Sequence, residues 1–397
     1  MTSSRLTRPT GPARHTRPTW AEVSRSQLIH NYDMVRRLAG PETEVLAVVK
    51  ANAYGHGLAG CARALEGGGA QWLGVTSVEE GVALRGICAE ARILIMSGIW
   101  AGEADAAVEY SLTPVVWEAQ HLEWLEEAAR GRGLGAGAVP VHLEIDTGMS
   151  RQGVQPKCLE ALLGRSGPDS PVRVEAVMTH FHSPGNAELT AEQNRTFVTA
   201  VDTIIGCGVR PGILSAGSSA GTLQRDAAVA DLAKRMDARL MLRAGIALYG
   251  YAPDPEETGE SARQLKPALE WKTRVISLRE VEAGTVVGYD ATFRADRRTR
   301  LALLPVGYAD GLNRLLSNRG EVLVRGQRAP VAGRISMDHT TVDVTDVSGV
   351  AVGDEVVLIG EQGEERLTAA DMAKLTGTIS YEVLCDIGAR VPRTMVE

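Results

Sequence analysis

The sequence predicts an α/β protein, a (β/α)8 TIM-type barrel followed by a mostly β C-terminal domain. Eight short apolar runs alternate with helical patterns in the first two-thirds of the chain. Buried runs separated by helices indicate parallel strands with right-handed crossovers, and eight such units close a barrel. After about residue 255 the runs are shorter and are joined by Gly, Asp and Asn turns, which is typical of a β domain.

The barrel strands are predicted in chain order at Leu46–Ala51, Trp72–Ser77, Ile93–Gly98, Leu112–Trp117, Pro140–Asp146, Val174–Phe181, Ile213–Ser218 and Leu240–Leu248. Helical stretches such as Val78–Ile87, Glu118–Arg130 and Ala191–Ile205 separate them. An open doubly wound sheet is the alternative, but it usually has fewer strands and a glycine-rich dinucleotide turn. The glycines at 67–69 follow a helical stretch, so they indicate a helix end rather than a phosphate loop.

The second domain is predicted to contain β runs at Arg274–Val281, Leu301–Pro305, Glu321–Arg325, Thr340–Val344 and Glu355–Ile359. A helix over Ala369–Leu375 opens at Thr368, and a β-like tail runs through Tyr381 to Pro392. We therefore predict a disordered leader over 1–19, a barrel over 20–255 and a mostly β domain over 256–397. Residues 20–23 are β-like and could belong to either domain.

Composition limits the class of partner. The net charge of −7 argues against a nucleic-acid or anionic-membrane partner. Five scattered cysteines without a C-x-x-C pair indicate free thiols in a reducing compartment. No apolar stretch reaches the roughly 20 residues that span a bilayer, and the first 19 residues lack the apolar core of a secretory signal. We expect a cytoplasmic protein.

Polar side chains cluster at the carboxyl ends of the predicted barrel strands, where this fold places its chemistry. Lys50 ends the first strand, Arg151 follows the fifth, His180 ends the sixth, and Arg243 lies in the eighth. A lysine at the end of a buried strand lies in a partly dry setting that lowers its pKa. Its neutral amine could then attack an aldehyde, so Lys50 is a candidate Schiff-base former.

The seventh and eighth strands of this fold commonly bind a phosphate. Hydroxyl and backbone N–H groups of Ser219, Gly245 and Ile246 would suit one, and Tyr54 adds a phenol. A lysine and a phosphate cradle on one rim point to pyridoxal 5′-phosphate (PLP), which withdraws electrons from the Cα of an amino acid.

Plainer interpretations of the same residues stay open. Arg151 could be a surface residue, and Ser218-Ser219 an ordinary turn. His180 and His182 lie on one strand face and could bind a metal. No third ligand falls at an obvious spacing, however, and Pro184 ends the run. We therefore predict no metal.

The stretch from Val48 to Gly57, VVKANAYGHG, closely resembles the PLP-attachment motif of bacterial alanine racemases. The resemblance extends from about Trp20 to Arg393 through the matches at 146–149 (DTGM), 243–250 (RAGIALYG), 288–293 (GYDATF), 305–311 (PVGYADG), 333–338 (GRISMD), 379–382 (ISYE) and 390–393 (RVPR). It implies a PLP-dependent isomerase that interconverts L- and D-alanine and supplies D-alanine for peptidoglycan. It also implies a head-to-tail homodimer in which each active site combines one barrel with the partner's β domain.

The resemblance assigns two acid/base groups. Lys50 resembles the Schiff-base lysine and one base, and Tyr289 of the partner subunit resembles the second. Because the Cα proton leaves one face and returns on the other, one base per face is the simplest geometry. A tyrosine, with an ordinary pKa near 10, needs help to act as a base. His180 and Arg243 resemble the hydrogen-bond chain that supports it.

The resemblance also implies the remaining contacts. Arg243 matches the arginine that faces the pyridine nitrogen and, being a donor, leaves that nitrogen unprotonated. Arg151 resembles a ligand of the phenolic oxygen, the Met337 backbone N–H a donor to the substrate carboxylate, and Tyr308 a residue of the substrate entrance. The residues that resemble the phosphate-binding group are Tyr54, Ser219, Gly245, Ile246 and Tyr381, and Tyr381 also matches an entrance residue.

Two positions depart from the family pattern. Glu144 stands where many members carry a lysine, often carbamylated, that orients the arginine at Arg151. A glutamate supplies the negative charge directly, so we predict a Glu144–Arg151 contact, direct or through water. Ser218 stands where an Asn is common, which should be tolerated because Ser219 remains.

Other functions stay open on the sequence. A broader amino-acid racemase is the closest rival, although such relatives are typically exported and disulfide-bearing. A PLP-dependent decarboxylase would lack the GYDATF and GYADG context, and a PLP carrier would not need the β domain. A metal-dependent barrel hydrolase would use His180 and His182.

Overall fold

The computed structural model describes residues 17–165, 167–217, 227–252 and 259–397. The chain forms two compact units. One contains Val23–Ala268 with Met395–Glu397, and the other contains the segment that ends at Glu22 together with Leu269–Thr394. The predicted sites Ser218 and Ser219, and residues 1–16 of the predicted leader, lie outside the described residues.

The first unit is a closed barrel of eight parallel strands, so this part of the predicted fold class is confirmed. Each strand pairs with the next along the chain, and the first pairs with the last. The barrel strands are β2 (Thr43–Val48), β3 (Trp72–Val75), β4 (Arg92–Ile95), β5 (Leu112–Val116), β6 (Val139–Glu144), β7 (Val172–Met178), β8 (Ile213–Ser215) and β9 (Arg239–Ala244).

Helices alternate with the barrel strands, and several begin at a polar side chain that satisfies the first backbone N–H groups. Ser24 accepts from the Gln27 N–H, and Asn186 accepts from the Leu189 N–H. The helices of this unit are Arg25–Ala39, Leu58–Gly67, Val78–Arg85, Ala104–Glu109, Ala119–Gly131, Leu159–Leu163, Ala187–Gly206, Ala227–Met236 and Gly259–Arg263. Short 3-10 turns occupy Pro156–Cys158 and Ile246–Tyr249.

Charged and aromatic side chains pack together at the amino end of the barrel. Arg92, the first residue of β4, makes two hydrogen bonds of 3.0 and 2.6 Å to Glu175 on β7. Its guanidinium also lies 4.0 Å from the Trp72 ring, and Trp72 donates to Glu44 at 2.7 Å. Because β4 and β7 are not neighbours, the Arg92–Glu175 pair crosses the barrel. These contacts join opposite walls of the barrel at its amino end.

The second unit is mostly β, as predicted. Its strands are β1 (Thr19–Ser24), β10 (Leu269–Arg274), β11 (Ser277–Val281), β12 (Val286–Val287), β13 (Phe293–Arg294), β14 (Thr299–Leu304), β15 (Glu321–Val324), β16 (Gln327–Pro330), β17 (Thr340–Asp343), β18 (Glu355–Gln362), β19 (Glu365–Leu367) and β20 (Arg393–Val396). The main sheet has the order β16-β15-β18-β10-β1-β20, with β19 paired to β18, and two smaller sheets have the orders β11-β14-β17 and β12-β13. Residues 20–23, which the sequence left between the two domains, lie in β1 of this sheet.

The leader prediction is wrong at its end. Strand β1 begins at Thr19, whose hydroxyl hydrogen-bonds Thr273 at 2.8 Å, and Arg17 binds the Asp310 carboxylate. These contacts place residues 17–19 in the folded second unit.

The predicted β-like tail from Tyr381 to Pro392 is also wrong, because residues 387–392 are turn and coil and the strand that follows begins only at Arg393. Ser380–Asp386 form a helix, with Val383 and Leu384 buried, and only Arg393–Val396 are a strand. The helix predicted at Thr368 is present as Ala369–Thr376, and the Thr368 side chain accepts from the Asp371 N–H. Short 3-10 turns lie at Tyr289–Ala291, Tyr308–Asp310 and Arg314–Leu316.

Within the described ranges, no helix has the length and apolar character needed to cross a membrane.

Candidate active site

The structure places the four charged or ionisable barrel residues at the carboxyl ends of their strands. Lys50 lies two residues after β2, Arg151 follows β6, His180 lies two residues after β7, and Arg243 is the penultimate residue of β9. Lys50 and His180 are partly buried, Arg243 is buried, and Arg151 is exposed. The predicted cofactor residues Gly245 and Ile246 follow β9 directly.

Lys50 begins an unusual turn of left-handed helix. Ala51, Asn52 and Ala53 have φ of 52°, 54° and 56° with ψ of 52°, 44° and 52°, and Tyr54 has φ of 52°. Left-handed helical backbone costs about 1–2 kcal/mol per non-glycine residue.

Hydrogen bonds from outside the turn hold it in place. The Ala51 N–H donates to the Glu80 carboxylate at 2.8 Å, and the Asn52 side-chain oxygen accepts from the Leu58 N–H at 2.8 Å. These two hydrogen bonds hold the strained turn, and with it the backbone at Lys50, in one conformation.

Tyr54, at the end of this turn, packs on residues that sequence reasoning missed. Its ring stacks on Tyr249 with centroids 4.9 Å apart, and Tyr249 is fully buried. The Tyr249 hydroxyl donates to the Val48 carbonyl at 2.9 Å, and the His56 ring lies 4.5 Å from the Tyr249 ring. The sequence signal that could have identified Tyr249 is its place in the RAGIALYG motif at 243–250. The stack fixes Tyr54 beside the strand that leads to Lys50.

Arg243 is held by four acceptors. It donates to the Ser215 carbonyl at 2.8 Å, the Ser215 hydroxyl at 2.7 Å, the Thr179 carbonyl at 2.7 Å and the His180 Nδ1 at 3.3 Å. Burial lowers the pKa of Arg243 to about 10, so the guanidinium stays charged at neutral pH. Ser215 and Thr179 were not predicted as site residues. Two of the four acceptors are their backbone carbonyls, which the residue type does not reveal.

His180 is neutral. Burial, reinforced by the charges of Arg243, Arg151 and Lys50 in that order, lowers the pKa of His180 to about 3. Because Arg243 donates to Nδ1, the proton of the neutral ring lies on Nε2, which is left as a donor. The structure therefore brings His180 and Arg243 together as the sequence predicted.

Glu144 does not make the direct contact predicted for it. Its carboxylate accepts a 2.5 Å hydrogen bond from Gln152, whose amide also donates to the Met96 carbonyl at 3.0 Å. In the described part of the chain, Glu144 forms no ion pair with Arg151. Burial raises the pKa of Glu144, although Gln152, Arg243 and Arg151 oppose the rise. Gln152 is thus a further site residue that sequence reasoning missed.

Three predicted sites of the second unit lie in loops or short 3-10 turns, and a fourth lies on a helix. Tyr289, Tyr308 and Met337 are 68%, 43% and 53% exposed. Tyr289 lies in a turn between Gly288 at φ 75° and Asp290 at φ 60°. Tyr381 lies on the helix Ser380–Asp386, and burial raises its pKa to about 12.

Among the residues with described placements, no group of three or more His, Cys, Asp or Glu side chains could hold a metal ion. His182 instead hydrogen-bonds Ser183 at 2.8 Å, and His180 contacts Arg243.

The donor set at the barrel rim fits PLP. Arg243, Arg151 and Lys50 place three basic side chains at the carboxyl ends of barrel strands, so the rim favours an anionic ligand such as a phosphate ester. A primary amine that can bond to an aldehyde belongs to the same set.

Known proteins share this architecture. A family model described as "Alanine racemase, N-terminal domain" matches residues 23–253, and one described as "Alanine racemase, C-terminal domain" matches residues 268–395. The alanine racemase of Symbiobacterium thermophilum is 43% identical over 384 residues, 95% of this chain and 97% of that protein. That of Halothermothrix orenii is 39% identical over 383 residues, 96% of this chain and 97% of that protein.

Solved structures agree. The structure of alanine racemase from Streptomyces coelicolor A3(2) superposes with a TM-score of 0.86 at 34% identity, covering 96% of this chain and 99% of that one. The biosynthetic alanine racemase from Pseudomonas aeruginosa gives a TM-score of 0.81 at 36% identity, covering 96% and 100%.

Proposed function

Because the chain belongs to the alanine racemase family, we propose that it interconverts L-alanine and D-alanine with PLP, using Lys50 and Tyr289 as its two bases. The observation that carries the proposal is that Lys50, Arg151, His180 and Arg243 all lie at the carboxyl ends of strands of one closed barrel, where Arg243 contacts His180. The same end of the barrel thus carries the Lys50 amine and the guanidinium groups of Arg151 and Arg243.

The barrel residues would hold the cofactor. Lys50 would bond covalently to its aldehyde, Arg243 would face the ring nitrogen, and Arg151 the phenolic oxygen. The phosphate would lie against Tyr54, Ser219, Gly245 and Ile246. When bound, PLP would accept the amino group of the substrate in place of the Lys50 amine, which would leave that amine free as a base, and it would make the Cα proton acidic by withdrawing electrons from Cα.

The two bases would exchange roles with the direction of reaction. With one enantiomer the Lys50 amine takes the Cα proton while the Tyr289 hydroxyl donates to the opposite face, and with the other enantiomer the roles reverse. The neutral His180, with its proton on Nε2, would donate a hydrogen bond to the Tyr289 oxygen and stabilise its anionic form. Arg243 keeps His180 in that tautomer.

Tyr289 would come from a second copy of the chain. The family resemblance implies a head-to-tail homodimer, and the 68% exposure of Tyr289 on its loop suits contact with a partner. In the same way, Tyr308 of the partner subunit would narrow the entrance and the partner's Met337 N–H would bind the substrate carboxylate. The cysteine pattern supports a cytoplasmic enzyme, and we propose that its D-alanine serves peptidoglycan synthesis.

Chiral chromatography of L-alanine incubated with the purified, PLP-loaded protein tests the function. The same experiment with L-serine, L-lysine and L-glutamate measures substrate breadth. We expect D-alanine as the dominant product. Comparable D-serine or D-lysine would favour a broader racemase, and loss of substrate with release of carbon dioxide would favour decarboxylation.

A further inference from the structure

A buried carboxylate lies beneath the two loops that carry Tyr308 and Met337. Asp310 has a fully buried side chain, and Arg17 binds it through two hydrogen bonds of 2.8 and 2.6 Å. One Asp310 oxygen also accepts from the Gly307 N–H at 3.0 Å, and the Arg390 Nε lies 3.4 Å from the other. Two guanidinium groups thus compensate one buried charge, which satisfies the condition for a stable buried ion pair.

Arg390 carries the connection to the second loop. Its Nη2 donates to the Asp338 carboxylate at 2.7 Å, and Asp338 follows Met337 directly in the chain. This hydrogen bond from Arg390 lowers the pKa of Asp338, so the carboxylate stays ionised and the link persists at neutral pH. The chain of contacts therefore runs from Arg17 through Asp310 and Arg390 to the residue beside Met337.

The two loops also touch through their backbones. The Tyr308 N–H donates to the Ser336 carbonyl at 3.0 Å, and the Ala309 N–H donates to the Met337 carbonyl at 3.1 Å. There is no room for a side chain at Gly307, because a Cβ there would lie 2.3 Å from the Ser336 oxygen. A displacement of the Asp310 loop would therefore move the backbone around Met337.

We infer that Asp310, together with Arg17 and Arg390, is a positioning residue that fixes the Met337 N–H and the Tyr308 side chain for the substrate carboxylate. The inference rests on the proposed function, which assigns carboxylate binding to these loops. Asp310 contacts neither substrate nor cofactor in this scheme. It acts through the geometry of the loops, and a preorganised N–H donor binds a carboxylate more tightly than a mobile one.

The test is Asp310→Asn in the PLP-loaded protein. The substitution keeps the shape of the side chain but removes the charge that holds Arg17 and Arg390. We expect KM for both alanine enantiomers to rise about tenfold while kcat changes less than about threefold, as for a lost ground-state contact. Backbone amides of 335–339 should exchange hydrogen about tenfold faster by mass spectrometry, because local opening becomes easier.

Lys272→Met is the matched control. Lys272 is a partly buried cation of the same unit that contacts Glu22 and Glu270, each at 2.6 Å. Its removal should lower the thermal midpoint without changing KM or the exchange of 335–339. If Asp310→Asn does not fold, Arg390→Gln replaces it, because Arg390 is 45% exposed and its loss still cuts the link to Asp338.

Three results separate the possibilities. Raised KM and faster loop exchange in Asp310→Asn or Arg390→Gln, but not in the control, support the inference. Unchanged KM and unchanged exchange in an active enzyme overturn it. If the wild-type protein does not racemise alanine, the proposed function fails, and the exchange rates alone still decide whether Asp310 orders the loops.

Discussion

Replacing Ala51 with glycine should stabilise the barrel unit, although glycine usually weakens a folded chain. Ala51 has φ of 52° and ψ of 52° in the left-handed turn, and its side chain is exposed. Relief of the left-handed strain is worth about 1–2 kcal/mol, whereas the extra freedom of glycine in the unfolded chain costs about 0.5–1 kcal/mol. The expected net gain lies between about 0 and 1.5 kcal/mol, with a central value of about 0.75 kcal/mol.

Two other alanines provide matched comparisons. Ala59 is exposed in the right-handed helix Leu58–Gly67, so Ala59→Gly should destabilise by about 1 kcal/mol. Ala53 has a φ of 56° but is fully buried, so Ala53→Gly relieves strain and also loses a methyl group worth about 0.8 kcal/mol. Its net effect should be close to zero.

Urea denaturation of the PLP-loaded variants under identical conditions measures the three differences through the shift of the midpoint at constant slope. The reasoning predicts opposite signs for Ala51→Gly and Ala59→Gly. It is refuted if Ala51→Gly destabilises the protein as much as Ala59→Gly does, since the turn would then carry no strain that glycine can relieve.

Three further predictions concern the chemistry. Lys50→Ala should retain no cofactor on the chain after borohydride reduction, and a reduced adduct seen by intact mass would place the attachment elsewhere. Tyr289→Phe should slow Cα proton exchange in deuterated water far more for one alanine enantiomer than for the other, and equal losses would contradict the two-base assignment. The pKa of His180 is lowered in the folded protein to about 3, whereas the ordinary pKa of a histidine is 6.5. As the pH falls below 6.5, His180 therefore binds a proton in the unfolded chain before it does so in the folded protein, and the free energy of unfolding decreases. His180→Asn should reduce that loss between about pH 7.5 and pH 4.5 in urea melts, while the similar contribution of His142 remains, and an unchanged loss would place the acid sensitivity elsewhere.

Strand order and fold class were predictable because each barrel strand is a short buried apolar run. An error of a few residues in the predicted ends of a run does not change the order of the strands. The ends were less accurate. The first strand was expected to reach Ala51 but stops at Val48, since the residues after it enter a left-handed turn that no residue propensity indicates. The segment from Tyr381 to Pro392 was expected to be β-like, yet Ser380–Asp386 form a helix that buries Val383 and Leu384.

The candidate site was predictable where a side chain carries the chemistry. Lys50, His180 and Arg243 were found from their positions at strand ends. Gln152 was not, because its contact with Glu144 depends on the path of the loop after β6. The contact with the Ser215 carbonyl could not be predicted for a different reason. Every residue has a carbonyl, and only the fold decides which carbonyl accepts from Arg243.

The path of the chain through the second unit has a consequence for synthesis. Strand β1 lies between β10 and β20, and the Ala21 N–H donates to the Pro392 carbonyl at 2.9 Å. At about 5–20 residues per second, roughly 20–75 s separate the emergence of β1 from that of β20 on the ribosome. For that time β1 has an unpaired edge, which is the kind of edge that promotes aggregation. The barrel can close earlier, so the order of synthesis favours an intermediate in which the barrel is folded and the β unit is still incomplete.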